Sequence, residues 1–394
     1  MSRNPEADLA IDALLDRSHP IKADVAQWAR TALAPSDLVG ADADCVFDRE
    51  GWTAVARRGV LGALVPEVNG GGQCDTVTAA LMLEGIGLGC RDNGLVYGIA
   101  SQMLSFQEAV LHFGTDAQRA EILEPACRGD LIGAFAITEP EAGSDSYALT
   151  TTATREGDDW VLHGHKAHIT LAPVADVAVV FAKTDPSAGT WGISAFLVHT
   201  DRTGVTCTET KPKMGLRTTP FGDIILDGYV APAADMLGAE GVGASMFSTC
   251  MESERSLIMA SHLGAVERLV REAFDRANSR TQFGQPIGSF QAVSHRLVDM
   301  EMRLEAARLQ VYKAAIALGR GRSPLPAAMA KLSASEAIAS IGLDAARIHG
   351  ARGYVVEYEV EREVRDALGS LVYAGTSDVQ KNTIAALLGV APTR

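Results

Sequence analysis

The middle of the chain changes period, and that change most narrows what it can fold into. Residues 150–155, 160–170, 176–183, 192–199, 205–211 and 221–227 are short runs rich in Val, Ile and Thr. Turn formers separate them, at Gly157-Asp158-Asp159, Pro186-Ser187-Ala188-Gly189 and Asp201-Arg202-Thr203-Gly204. Strands at that spacing predict a small antiparallel barrel or sandwich. Upstream, residues 47–63, 76–87 and 94–113 carry apolar side chains at helical spacing. Gly114-Thr115-Asp116 reads as a stop followed by a new N-cap, opening a helix over 118–126. Downstream the helices are longer: Val293, Leu297, Met300, Leu304 and Val311 fall on one face, and Pro324 and Pro326 stand where the next helix, running to 349, can begin. A helix–strand–helix order without βαβ alternation argues against a Rossmann sheet. The expected fold is α+β, mostly α. It has an N-terminal helical domain over 1–131, a central antiparallel β-barrel over 132–240 and a C-terminal helical bundle over 241–394.

Charge and cysteine usage remove several function classes. The 394 residues carry a formal net charge of −14. Nucleic-acid binding needs a basic surface to displace counterions, so no nucleic-acid partner is expected, whereas a small anion held by local arginines is compatible. Residues 1–20 are acidic and broken by prolines, without the apolar run of a signal peptide. No window approaches the roughly 18 apolar residues of a membrane span, so a cytoplasmic protein is expected. Cys45, Cys74, Cys90, Cys127, Cys207 and Cys250 are scattered and form no CxxC pair. They read as reduced thiols, mostly in the core, with neither a disulfide framework nor a metal site.

The densest chemical signal is Phe135-Ala136-Ile137-Thr138-Glu139-Pro140-Glu141-Ala142-Gly143-Ser144-Asp145. On physical grounds it is a strand ending in a polar turn whose amides can meet ligand oxygens, with Gly143 permitting close approach. Its three carboxylates make a phosphate site unattractive from composition alone, and an ordinary acidic turn is the bland alternative.

Four further segments accompany it: His163-Gly164-His165-Lys166-Ala167-His168-Ile169-Thr170, Lys213-Met214-Gly215-Leu216-Arg217, Arg280-Thr281-Gln282-Phe283-Gly284-Gln285-Pro286-Ile287 with Phe290-Gln291, and Tyr373-Ala374-Gly375-Thr376-Ser377. In that order, over about residues 47–389, they resemble the motifs of the acyl-CoA dehydrogenase family. The resemblance implies a C-terminal four-helix bundle and an FAD lying between the barrel and that bundle. It implies that Phe135, Ile137, Thr138, Gly143 and Ser144 line the flavin, with His168 beside it and the Thr170 hydroxyl near its N5 atom. It also implies that Phe283 contacts the cofactor and that Arg280, Gln291, Arg347, Gly350, Thr376, Ser377 and Asp378 reach the FAD of a neighbouring subunit, in a homodimer or homotetramer. Ser144, Arg255 and Gly375 are expected against the substrate, and a flavoprotein or oxygen as electron acceptor.

The implied reaction removes two hydrogens from the α and β carbons of an acyl thioester, and a carboxylate must take the α-proton. Many relatives carry that base just before the terminal Gly-Thr, where this chain has Ala374. The isovaleryl and long-chain branches place it on the first long helix after the barrel, directly before an arginine. Glu254, preceding Arg255, matches that placement. Glu252 lies about 200° away around the helix, so the two cannot share a pocket. Two departures stand out: His168 replaces the usual aromatic, and Arg347-Ile348-His349-Gly350-Ala351 lacks the usual second glycine. His168 is expected to act by packing rather than by tuning the flavin. Ala172-Pro173-Val174-Ala175-Asp176 and the tail over 375–381 resemble the branch acting on acyl groups tethered to carrier proteins, so either CoA or a carrier protein can present the substrate. A flavin monooxygenase on the same fold and a catalytically silent flavin-binding subunit are the competing readings. Glu254 speaks against the first, since that chemistry needs no α-proton base.

Overall fold

The computed structural model describes residues 16–390, so the two ends of the outer domains expected from sequence lie outside the described residues. The first region is helical: α1 (Pro20–Ala32), α2 (Leu38–Asp44), α3 (Arg49–Arg57), α4 (Thr76–Gly89), α5 (Asn93–Ser101), α6 (Glu108–Phe113) and α7 (Asp116–Arg128). The helix expected over 47–63 is shorter, because Gly59 adopts φ +83° and turns the chain out. Thr115 caps α7 as expected, its hydroxyl accepting from the Gln118 amide while the Gln118 side chain accepts from the Thr115 amide. Between α5 and α6 the chain widens into a π turn over Gln102–Gln107, a feature that apolar periodicity does not reveal.

The strands are β1 (Gly133–Ala136), β2 (Thr152–Glu156), β3 (Asp159–Thr170), β4 (Val177–Lys183), β5 (Ile193–His199), β6 (Val205–Cys207), β7 (Phe221–Ala231) and β8 (Met236–Leu237). Their order is β6-β7-β3-β2-β4-β5-β8, with β1 beside β4. Two expectations are corrected here. The sheet is not wholly antiparallel, since β1 runs parallel to β4 and β2 meets β4 in parallel at one residue pair. The long connection through β2 and β3 returns the chain in the same direction. Closure into a barrel is not shown either: β6 and β8 end the order without pairing to each other.

The last region holds α8 (Gly243–Ser279), a small exposed hairpin of β9 (Thr281–Gln282) and β10 (Gln285–Pro286), then α9 (Gln291–Gly319), α10 (Pro324–His349), α11 (Val360–Gly369) and α12 (Ser377–Leu387). The anticipated stripe on α9 faces inward, with Leu297, Met300, Leu304 and Val311 all buried. One apolar core joins the two helical regions, running from Trp52, Leu81 and Ile86 to Leu263, Met300 and Ile338. α4 and α8 meet backbone to backbone: a Cβ on Gly264 would lie 2.0 Å from the Glu84 carbonyl oxygen. A buried ionic cluster pins the same junction, with the Lys22 ammonium 2.8 Å from Glu84 and Arg308 2.6 Å from Glu84. All six cysteines are free thiols, three buried and three half-buried. Among the described residues no helix is long and apolar enough to cross a membrane, and no cluster of His, Cys, Asp or Glu could hold a metal.

Candidate active site

A cavity of about 210 Å³ opens where the end of β1, the end of β3, α5 and α8 converge. The β-sheet supplies one wall. Gly133 starts β1 against the Phe106 ring, where any Cβ would sit 2.1 Å from a ring carbon. The strand therefore approaches the helices closely and delivers Phe135, Ile137 and Thr138 to the cavity. Glu139 and Ala142 then bond to each other through both backbone amides, folding the turn that presents Gly143 and Ser144. Thr170 ends β3 on the same wall, and its hydroxyl lies 3.4 Å from that of Tyr97.

The carboxylates that made this turn unattractive for an anionic ligand are disposed of. Glu141 and Asp145 are solvent-exposed. Glu139 is buried and turned away from the cavity, 2.8 Å from the Lys166 ammonium, and it accepts from the Thr150 and Thr151 amides at 2.6 and 2.9 Å. Burial alone would raise its carboxyl, but Lys166 and these donors outweigh it and hold Glu139 down at about 2. The side facing the cavity keeps the Thr138, Ser144 and Thr170 hydroxyls and the open space beside Gly143.

The helical wall carries the charge. Glu254, on α8, is 6 % exposed and accepts a 2.8 Å hydrogen bond from the Ser105 hydroxyl in the π turn. Burial raises its carboxyl above the ordinary range, against the smaller opposing pull of Ser105, Arg255 and Lys331. Arg255 donates through Nε to the Ala374 carbonyl at 2.9 Å. That contact steadies a tight turn in which Ala374 has φ +53° and Gly375 φ +90°. The φ of Gly375 favours glycine there, and a Cβ would also press on Gln380 Nε2 at 2.7 Å and Arg255 Nη2 at 3.3 Å. Glu252 points elsewhere, as the helical geometry requires. It is buried beside a separate cavity with Arg322 and accepts from the Ser323 amide.

Of the residues singled out from sequence, Phe135, Ile137, Thr138, Gly143, Ser144, His168, Thr170, Glu254, Arg255 and Gly375 meet in this cavity. The others do not. Arg280, Phe283 and Gln291 lie exposed at and after the end of α8, with Phe283 at 93 % exposure. Arg347 pairs with Asp344 at 2.9 Å, and Gly350 ends α10 with φ +62°. Thr376 caps α12, Ser377 donates to Glu336, and Asp378 pairs with Lys381 at the surface. Sequence reading missed Tyr97, Ser101, Ser105, Phe247 and Met251 as wall residues. Ser101 and Ser105 interrupt an apolar helical run, a signal open to notice. The Tyr97 and Tyr373 rings lie 4.6 Å apart, and Tyr373 is fixed by a 3.0 Å hydrogen bond to buried His262. They also border an apolar cavity of about 420 Å³, so the two spaces share a wall. A separate cavity of about 630 Å³ lies between α2 and α8 and contains none of the motif residues.

Comparison with known proteins places this geometry. The N-terminal, middle and C-terminal domain models of acyl-CoA dehydrogenase match residues 16–130, 134–229 and 241–389. The L-prolyl-[peptidyl-carrier protein] dehydrogenase of Pseudomonas fluorescens is 37 % identical over 341 residues, 86 % of this chain and 90 % of that protein. The human mitochondrial short-chain specific acyl-CoA dehydrogenase is 38 % identical over 336 residues, 84 % of this chain and 81 % of that protein. Among solved structures, the prolyl acyl carrier protein oxidase AnaB superposes with a TM-score of 0.92 at 38 % identity, covering 98 % of this chain and all of the other. The chain belongs to the acyl-CoA dehydrogenase family.

Proposed function

We propose that the protein is an FAD-dependent oxidoreductase that removes two hydrogens from the α and β carbons of an acyl thioester, with Glu254 as the base. One observation carries the reading: a buried carboxylate shares a small cavity with a hydroxyl-lined strand wall from which the competing carboxylates have been removed. That wall suits a flavin, since Thr138, Ser144 and Thr170 offer hydrogen bonds and Gly143 leaves room for close approach. Bound there, FAD would supply the hydride acceptor that the β carbon needs. The chain's own work is placement and proton transfer. Burial makes Glu254 a stronger base than a solvated carboxylate, and Ser105 holds one of its oxygens so that the other can face the α carbon. Arg255 secures the Ala374–Gly375 turn, which forms part of the cavity wall where the thioester would lie. Protein purified with its cofactor and then denatured should release about one FAD per chain, the stoichiometry expected when the fold positions a single reactive flavin. Release of FMN, or a colourless protein that fails to take up FAD, contradicts the reading.

The arm is assigned to a carrier protein, because the Pseudomonas relative and AnaB are both named for acyl groups on carriers. A specificity constant for a CoA thioester equal to or above that for the matching carrier thioester would overturn this assignment.

The site is proposed to be completed by a second copy. Arg280, Phe283 and Gln291 form an exposed projection with no role in their own cavity. Light scattering should therefore give a dimer or larger assembly, and Arg280→Ala should weaken FAD retention. A monomer holding FAD as tightly as the wild type would refute the shared site.

A further inference from the structure

At the end of β3 the pairing with β7 slips: Lys166 faces Ile224 and Ile169 faces Gly222, so Ala167 and His168 together oppose Asp223. Such a bulge bends a strand and re-aims a side chain. His168 occupies it with φ +61°, a conformation costing a non-glycine residue about 1–3 kcal/mol and kept only where surroundings enforce it. Asp223 enforces it, accepting from the His168 amide at 3.1 Å. Asp223 is itself gripped by Lys211 at 2.6 Å and His165 at 2.9 Å. Burial pushes its carboxyl up, but those donors hold it at about 2, so the clamp stays ionised across the working pH range.

The clamp does not serve burial of the ring. His168 is exposed and lines the cavity. One ring face stacks on Phe221, with centroids 5.8 Å apart and an interplanar angle of 21°. Among the described residues its ring nitrogens have no hydrogen-bond partner, whereas His262 and His165 both have one. His168 thus places a strained, clamped and stacked imidazole, with neither ring nitrogen hydrogen-bonded among the described residues, on the cavity wall. Packing on Phe221 uses one ring face and needs neither the ring nitrogens nor their exposure.

We infer that His168 is a flavin-contacting residue whose ring N–H stabilises the reduced, more electron-rich cofactor over the oxidised one. This rests on the flavin reading above. A ring N–H donor binds more strongly as the acceptor it faces gains electron density, so its hydrogen bond favours the reduced cofactor. The other charged groups around it are Asp223, Lys211, His165 and Lys213 on its own wall, and Glu254 and Arg255 across the cavity.

Spectroelectrochemistry on the holoenzyme tests it. His168→Phe keeps the stack on Phe221 and removes the ring nitrogens. His168→Asn tolerates the left-handed backbone and removes the imidazole. Both should favour reduced over oxidised FAD at least tenfold less than the wild type does, a fall of about 30 mV for a two-electron couple. A difference below about threefold, roughly 14 mV, in both variants overturns the inference while leaving the flavin reading intact. A second readout needs no bound cofactor in the variants: the ¹⁵N ring signals of wild-type His168, assigned by their loss in either variant, should move on FAD addition and again on reduction. Signals that ignore both events overturn it, and a wild-type protein that takes up no FAD removes the inference together with the reading beneath it.

Discussion

Glu254→Gln keeps the fold and the flavin but lowers the rate of flavin reduction by an active thioester at least about 10²-fold, the lower end of what a positioned general base contributes. In the barrier this is roughly 2.7 kcal/mol. The change is nearly isosteric, and the amide oxygen can still accept from Ser105, whose hydroxyl lies 2.8 Å from Glu254. What disappears is the basic carboxylate that burial has strengthened. Glu252→Gln is the control. Its side chain serves Ser323 and Arg322 on the other side of α8, so the rate of reduction should change by less than about threefold, or roughly 0.7 kcal/mol. Stopped-flow bleaching of the oxidised flavin separates the two, because it reports the chemical step directly. Reduction of the Glu254→Gln flavin at the wild-type rate would exclude this residue as the base.

Lys166→Met is expected to cost about 3 kcal/mol of stability near neutral pH, since removing one partner of a buried ion pair strands the other charge. Lys166 and Glu139 are both almost fully buried, and the pair anchors the turn that presents Gly143 and Ser144. Weakened FAD retention should therefore accompany the loss. The sign of the pH dependence follows from Glu139. Its carboxyl is held at about 2, below its ordinary 4.5, so the pair's contribution is complete above 4.5 and is lost as the pH falls toward 2. The deficit of the variant relative to wild type should accordingly narrow across that window. Urea unfolding at neutral pH and near pH 3 measures it, and a constant or widening deficit would mean that Glu139 is not held by Lys166.

Much of this was legible in the sequence, for reasons that differ by element. The α9 stripe and the Thr115 cap are local signals, and α9 and α7 follow from them. The place of Glu254 in the cavity was legible through the resemblance to the isovaleryl and long-chain placement, and helical geometry separated it from Glu252. The features that sequence did not show all depend on contacts between distant segments. The π turn leaves no mark on apolar periodicity, yet it carries Ser105 to Glu254. Glu139 and Lys166 are 27 residues apart, so an acidic turn looked hostile to an anion until its partner was seen. The bulge at His168 depends on the register with β7, and Asp223 holds it from 55 residues away. Closure of the sheet was over-read, because alternation along single strands says nothing about whether the first and last strands pair.

The central claim is that Glu254 and the cavity wall support dehydrogenation of a thioester. Anaerobic mixing of the flavin-loaded protein with a panel of CoA and carrier-protein thioesters, followed by mass analysis of the acyl group, tests it most directly. The account predicts that at least one thioester bleaches the flavin without oxygen and yields an acyl group lighter by two hydrogens, unsaturated between the α and β carbons. A flavin that no thioester bleaches, or an acyl product that appears only with oxygen and has gained an oxygen atom, would contradict it.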